Sequence, residues 1–460
     1  MAAGLLLGQQ RVQLKILAAD YIIRPAQVDV LSIRAKMDSL SREMVDRGYL
    51  NAAWRLDTLA RRDSIPTLVA RLIPGVKTNI AQVVFTDLKQ TRPETLEREY
   101  FFGSDSGMPV DHIPAAESRL NRLGYITFTP KGIFRDDHKR FLTVYQAHEN
   151  SALQIDGLIG AERPPDVDSV RWIGRFHLDL PNLLGTGRKI RIQWERTRAD
   201  QEKFSLSYTE PWLADQPIDG SIGLMREVVN GQYITESGQL DLDWRISWWQ
   251  DLVLSWNQTH NTLTFEGRQM HPEWSNASRG TFGLGYRILP PNIIERPFYA
   301  GSMIYRLELA RRTNAIKQLT VRMIGRWPLT RQYRVTQRFS LGHYQNGNAN
   351  SDPSLLQPIG GARSVRGYFE DQFRGTSVAA LQNEFAIGIG KRSRVFIFND
   401  YGWFQNTTET RWLHGYGLGA RLETNAGPII ISVGKNPELP WQNALIHLQL
   451  AGIDRRWIEN

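Results

Sequence analysis

Arg366, Glu384 and Asp400 are the residues of this 460-residue chain whose types and spacing point to chemistry. Arg366 stands in Gly360-Gly361-Ala362-Arg363-Ser364-Val365-Arg366-Gly367-Tyr368, and Asp400 in Phe398-Asn399-Asp400-Tyr401-Gly402, with Glu384 between them. A guanidinium does not shed its proton, so a loop that carries one into a confined space must find carboxylates there or bear a desolvation cost of several kcal/mol. The chemistry expected is therefore electrostatic fastening, with no bond made or broken.

The flanking elements decide whether such a meeting can occur. In a strand over Arg394–Phe404, side chains alternate, so Phe396, Phe398 and Asp400 share one face while Val395, Ile397, Tyr401 and Trp403 share the other. The second face suits lipid, which turns Asp400 to an interior. The preceding strand puts Leu381, Phe385 and Ile387 on one side and Gln382 and Glu384 on the other, so Glu384 also points inward. The expectation is that the loop folds back into a barrel and Arg366 docks on Asp400 with Glu384 nearby. Gly367 would permit the tight tip, and Tyr368 would pack on Phe396 or Phe398. The alternative is a solvated Arg-Gly turn.

Composition fits a barrel. Mean hydropathy is −0.38 and no run of eighteen apolar residues occurs, which argues against a helical membrane protein and leaves a strand-built one open. The 14 Trp and 15 Tyr exceed what a soluble chain usually carries and would supply aromatic girdles. The net charge of +9 is spread along the chain, which suits anionic lipid and acidic client segments better than nucleic acid. The lack of cysteine excludes disulfide and thiolate chemistry.

Residues 1–11 read as a signal remnant or disordered start. From 12 to 79 the pattern is a strand from Val12, a helix over about Ala26–Gly48, then strands near Ala52–Ala60 and Leu68–Leu72. Residues 80–149 repeat it, with Gly124-Tyr125 echoing Gly48-Tyr49 at an offset of 76 residues. From 150 to 453 period-two alternation takes over. Leu240, Leu242, Trp244, Ile246 and Trp248 oppose Gln239, Asp241, Asp243, Arg245 and Ser247, for example. Sixteen such runs can be traced, and residues 454–460 form a tail. The fold class expected is an all-β transmembrane barrel of sixteen antiparallel strands behind two α+β modules, in preference to a large soluble β-sandwich.

Val365-Arg366-Gly367-Tyr368 followed by Phe398-x-Asp400-x-Gly402 resembles the paired signature of the BamA/TamA outer-membrane insertase superfamily. Further matches are Asn182-Leu183-Leu184-Gly185-Thr186-Gly187, Tyr208-Thr209-Glu210-Pro211-Trp212, and Gly415-Tyr416-Gly417-Leu418-Gly419-Ala420-Arg421. The resemblance implies POTRA modules in the periplasm of a Gram-negative-type envelope, an arginine of the sixth external loop on an aspartate of the thirteenth strand, and unfolded outer-membrane proteins as clients. Lipid, periplasmic chaperones and accessory lipoproteins are further partners it implies, with no cofactor, no metal and no nucleic acid. It also implies a lateral seam between the first and last strands. Leu153, Ile155, Gly157 and Gly160 lie on the one, and Ile446, Leu448 and Leu450 on the other, a narrow apolar band that would thin the bilayer. The tail Asp454–Asn460 departs from the family, whose members commonly end at an aromatic residue closing the last strand.

No H-E-x-x-H, P-loop spacing or G-x-S-x-G elbow is present, so an enzyme is not expected. Gly415-x-Gly417-x-Gly419 reads as strand glycines at crowded barrel positions, and His447 as lumenal. Three functions remain: an insertase, a two-partner secretion transporter, and a passive pore. The eleven residues before Val12 favour the insertase, being too few for the plug helix of the secretion branch, whereas a count of two modules matches that branch.

Overall fold

The computed structural model describes residues 12–18, 21–28, 30–62, 65–102, 107–149, 154–162, 171–198, 200–289, 298–308, 315–345, 352–389, 393–424 and 427–449. Two compact units emerge, one of residues 1–121 with 126–148 and the other of 122–125 with 149–460.

The first unit repeats one topology. Its opening half runs β1 (Val12–Ala18), β2 (Tyr21–Val28), α1 (Val30–Asp46), β3 (Ala53–Arg62) and β4 (Ile65–Ile73), in the sheet order β2-β1-β4-β3. The second half runs β5 (Asn79–Thr86), α2 (Pro93–Phe101), β6 (Met108–Pro109), α3 (Ile113–Arg122), β7 (Ile126–Arg135) and β8 (Phe141–Glu149), in the order β6-β5-β8-β7. The central pair is parallel in both, β1 with β4 and β5 with β8. Strand β2 was not expected. The helix expected from Ala26 begins at Val30 because Tyr21–Val28 pairs back on β1. Where the first half has α1, the second has α2 and α3.

Local chemistry sets the helix ends. Pro93 opens α2, where its missing N–H costs nothing, Glu94 sits in the first turn, and Phe102 ends the helix in the left-handed region. Ile80, Leu96, Tyr100 and Leu120 are fully buried beneath these helices. Polar groups within this core are satisfied: Thr143 Oγ1 donates to Tyr100 Oη (3.0 Å), and Tyr145 Oη donates to Glu117 (2.9 Å). Burial raises the Glu117 carboxyl above its ordinary range, and the bond from Tyr145 opposes the shift.

The second unit is a sixteen-stranded antiparallel sheet in which each strand pairs with its neighbours along the chain, from Gln154–Glu162 to Leu445–Gln449. Its two ends approach each other: Arg175 Nη1 on the second strand donates to the Leu448 carbonyl on the last (3.3 Å). Among the described residues no backbone ladder joins the first strand to the last. The described part of the last strand is Leu445–Gln449. Alternation is strict where the site lies. From Val395 to Gly402 exposed and buried side chains take turns, with Ile397 63% and Asp400 0% exposed. Trp244, Trp256, Tyr305 and Trp412 are exposed on outward rows, a surface that suits lipid and would be costly in water.

In the first unit, Arg119 Nε meets Glu99 Oε2 at 2.7 Å with both side chains buried. Glu99→Ala removes the carboxylate from a buried charge, and the expected loss is about 3–5 kcal/mol. Faster hydrogen exchange of the α2 and α3 amides, with barrel amides unchanged, is the measurement that checks it.

Candidate functional site

The residues from Asp352 to Thr376 link two neighbouring strands of the sheet, Tyr333–Gln345 and Ser377–Gly388, and turn into the space that the sheet encloses. Gln357–Ile359 pairs with Phe373–Gly375, making a small hairpin that carries the tip 360–372. Two turns stiffen the tip: Gly361 N donates to the Val365 carbonyl (3.0 Å), and Gly360 N to Ser364 Oγ (2.7 Å).

Arg366 lies at this tip, 3% exposed. Its Nε donates to Asp400 Oδ2 (2.7 Å) and its Nη2 to Asp400 Oδ1 (2.8 Å), the two-pronged geometry that fits a guanidinium to a carboxylate. The Arg366 backbone N–H also donates to Asp400 Oδ2 (3.1 Å). Nη1 donates to Glu384 Oε1 (2.7 Å), and Arg338 Nη1 approaches the same oxygen at 3.1 Å. The guanidinium carbon sits 3.8 Å from the centre of the Phe398 ring, a cation–π contact made in a dry setting.

Missing side chains make the room. A Cβ on Gly415 would lie 1.7 Å from the Arg366 carbonyl oxygen, and one on Gly402 would lie 2.5 Å from Val365 Cγ2. Gly367 has φ +93°, a region that L side chains rarely adopt, and a Cβ there would meet the Lys435 carbonyl carbon at 2.5 Å. Gly417 and Gly419 lie beneath the Phe398 and Phe396 rings, so each of the three alternate glycines faces a group that needs its space.

Of the residues that the sequence marked, the structure brings together Arg366, Gly367, Asp400, Glu384, Phe398 and Gly402. Tyr368 is placed differently. It does not pack on Phe396 or Phe398; it joins Ile359, Val365, Ala380, Phe404 and Leu413 and meets Phe373 edge-on at 5.5 Å. The reason is that Arg366 covers Phe398, and the turn at Gly367 sends the next side chain the other way. At the seam, Ile155, Ile446 and Leu448 are exposed. Gly157 and Gly160 lie within the first strand, opposite Phe176 and Ile173. Leu153 and Leu450 lie outside the described residues.

Sequence reasoning missed the loop's other attachments. Arg279 holds Asp352 (2.5 Å) and Ser354 (2.8 Å), Arg374 holds Glu227 (3.2 Å), and Arg363 holds Glu195 (3.3 Å). Inward charges on the strands, Arg279, Glu227 and Glu195, were a visible signal, but not which loop residue each would take. The loop is thus tied to strands far apart around the sheet and crosses the interior. Among the described residues no group of acids and histidines is arranged to hold a metal ion.

A sixteen-stranded antiparallel sheet with a charged loop fastened across its interior defines a β-barrel class with an internally tethered loop. Residues 182–299 match the Omp85 superfamily domain, and residues 343–422 match the family described as haemolysin secretion/activation protein ShlB/FhaC/HecB. Over these two stretches the chain is similar to the Omp85 superfamily. BamA from Haemophilus ducreyi lacking POTRA domains 1-3 is similar in fold, with a TM-score of 0.55 at 15% identity, covering 96% of this chain and 98% of that one. CdiB from Escherichia coli is similar with a TM-score of 0.61 at 13% identity, covering 96% and 89%. CdiB from Acinetobacter baumannii has a TM-score of 0.53 at 12% identity, covering 93% and 87%. No curated protein sequence matches the chain.

Lysine cannot reproduce the two-pronged bond or the ring stack. Arg366→Lys is therefore expected to loosen the tip, with proteolysis within 360–372 rising on the order of tenfold for one lost charge-assisted bond. The barrel's heat-stable migration should be retained. Gly415→Ala, which leaves every charge in place, is expected to give the same loosening by collision with the Arg366 carbonyl.

Proposed function

We propose that the chain is an assembly factor that inserts β-barrel proteins into the outer membrane through a seam between its first and last strands. The two α+β modules act as POTRA domains on the periplasmic side, lending sheet edges to unfolded clients. The observation that carries this reading is the loop fastened across the barrel interior. With the axial path obstructed, the remaining exit is sideways, where the last strand offers an edge and no ladder closes the sheet among the described residues. An incoming strand that pairs with that edge keeps its backbone groups bonded while it enters lipid.

A second reading, export of a client through the pore, has its own support in the match over 343–422 to a secretion/activation family and in the CdiB-like fold. It requires the loop to leave the interior. Neither reading uses a nucleotide, metal or bond-making step, and the protein acts as no enzyme.

Cysteine pairs across the seam separate the two, since the chain has no cysteine of its own. Gly157 combined with Ile446 or with Leu448 gives candidate bridges on the outward rows. In liposomes, the oxidised form is expected to stop inserting an unfolded barrel client and to recover on reduction. Full insertion with the bridge closed would rule out the seam, and export that survives the bridge would establish the secretion reading. Steady ohmic conductance without effect on either client would mark a passive pore.

A further inference from the structure

We propose that the tip of the inward loop is a clasp on the last strand as well as on Asp400, with His447 and Asn436 as its second set of jaws, so that withdrawal of the loop and departure of the last strand are one event. The Gly367 N–H donates to His447 Nε2 at 3.1 Å, and Asn436 Nδ2 donates to the Gly367 carbonyl at 2.9 Å. Both backbone groups of one loop residue are thereby satisfied by side chains of the terminal hairpin, Gly427–Lys435 with Leu445–Gln449. His447, Asn436 and Gly367 are all buried. Gly434 stands opposite the contact, where a Cβ would lie 3.1 Å from the Gly367 nitrogen, so the hairpin approaches the tip without an intervening side chain.

Among the described residues the terminal strand pairs Leu445–Gln449 with Gly434–Ile430, and His447 falls at the middle of that ladder, opposite Ser432. The buried bond to His447 therefore adds directly to the anchorage of that ladder. The two jaws also bear opposite demands. His447 must present a lone pair at Nε2, so its proton is on Nδ1, and Asn436 must present its amide hydrogens. Asn436 is held for this by its own oxygen, which accepts from Glu438 N (2.9 Å) and Leu439 N (3.1 Å). Residue 367 is one position from Arg366, so the ionic bond to Asp400 and the bonds to the terminal hairpin cannot be broken independently without unfolding the turn between them. The inference concerns mechanical linkage and does not depend on which client the barrel handles.

The test uses the full chain in lipid nanodiscs and reads no client activity, so its outcome is separate from that of the insertion assay. Val365→Cys places a single thiol at a fully buried site beside the tip. Against this background His447→Leu is expected to raise the thiol's labelling rate on the order of tenfold, the effect of one buried bond lost. Asn436→Asp, which keeps the turn-holding oxygens and loses the donor, should do the same. His447→Gln can accept at the same place and is expected to restore slow labelling, which a merely space-filling role for the imidazole would not predict. In the reverse direction, Asp400→Asn should speed hydrogen exchange of the amides in 445–449 while leaving those in 218–229 unchanged. The proposal is overturned by unchanged labelling in both His447→Leu and Asn436→Asp. It is equally overturned if Asp400→Asn frees the tip thiol while exchange in 445–449 stays at its original rate. Should His447→Leu fail to fold, Asn436→Asp and Asp400→Asn carry the test alone.

Discussion

A guanidinium and a carboxylate buried together, Arg366 on Asp400, set the terms for the rest of the barrel unit. Removing both charges from water costs several kcal/mol for each ion, and their attraction offsets that only when geometry is near ideal and the remaining donors are satisfied. The surroundings meet those conditions one by one. Asp400 takes two donors from the side chain and a third from the backbone, Glu384 takes another, and Phe398 covers the flat face. Space for the backbone at this depth comes from glycines at 367, 402 and 415. A fully buried aspartate on a strand otherwise lined by aromatic rings is understandable only with its partner in place.

The other attachments of the loop are graded by burial. Arg279 with Asp352 is mostly enclosed, Arg374 with Glu227 is less so, and Arg363, 54% exposed, holds Glu195 in a setting where water competes. Exposed pairs are worth about 0–1 kcal/mol and serve to align. The loop therefore has a firm base at Asp352 and a firm anchor at Arg366, with Arg363 as a looser tether beside it. The small hairpin of Gln357–Ile359 with Phe373–Gly375 transmits one end to the other. Such a segment moves as a stiff arm, and freeing its tip alone leaves the base in place.

Much of this arrangement was legible in the sequence because strands have a period of two. Asp400 and Glu384 could be assigned to the inner face from their neighbours alone, and the structure has them there. The glycines at 415, 417 and 419 could be read as crowded positions from the absence of any helix after them. Other features left no trace. Tyr368 was assigned the wrong rings because its direction depends on the positive φ of Gly367, which the sequence permits without requiring. The role of His447 was invisible, since its partner is a backbone N–H and every residue but proline has one. Strand β2 was hidden by Pro25, which argues against a strand unless that position lies at a sheet edge, and β2 is an edge strand.

The oxygen of Glu384 shared by two arginines has a consequence for the vacated state. When Arg366 departs, Arg338 stays within 3.1 Å of that oxygen, so one acid is already neutralised and a single bare charge, on Asp400, is exposed to incoming water. The wall thus keeps a resident counterion in reserve. The hollow left by the departing arm carries one net negative charge where the fastened contact is neutral, and would carry two without Arg338, so one strong attractor remains to guide re-entry.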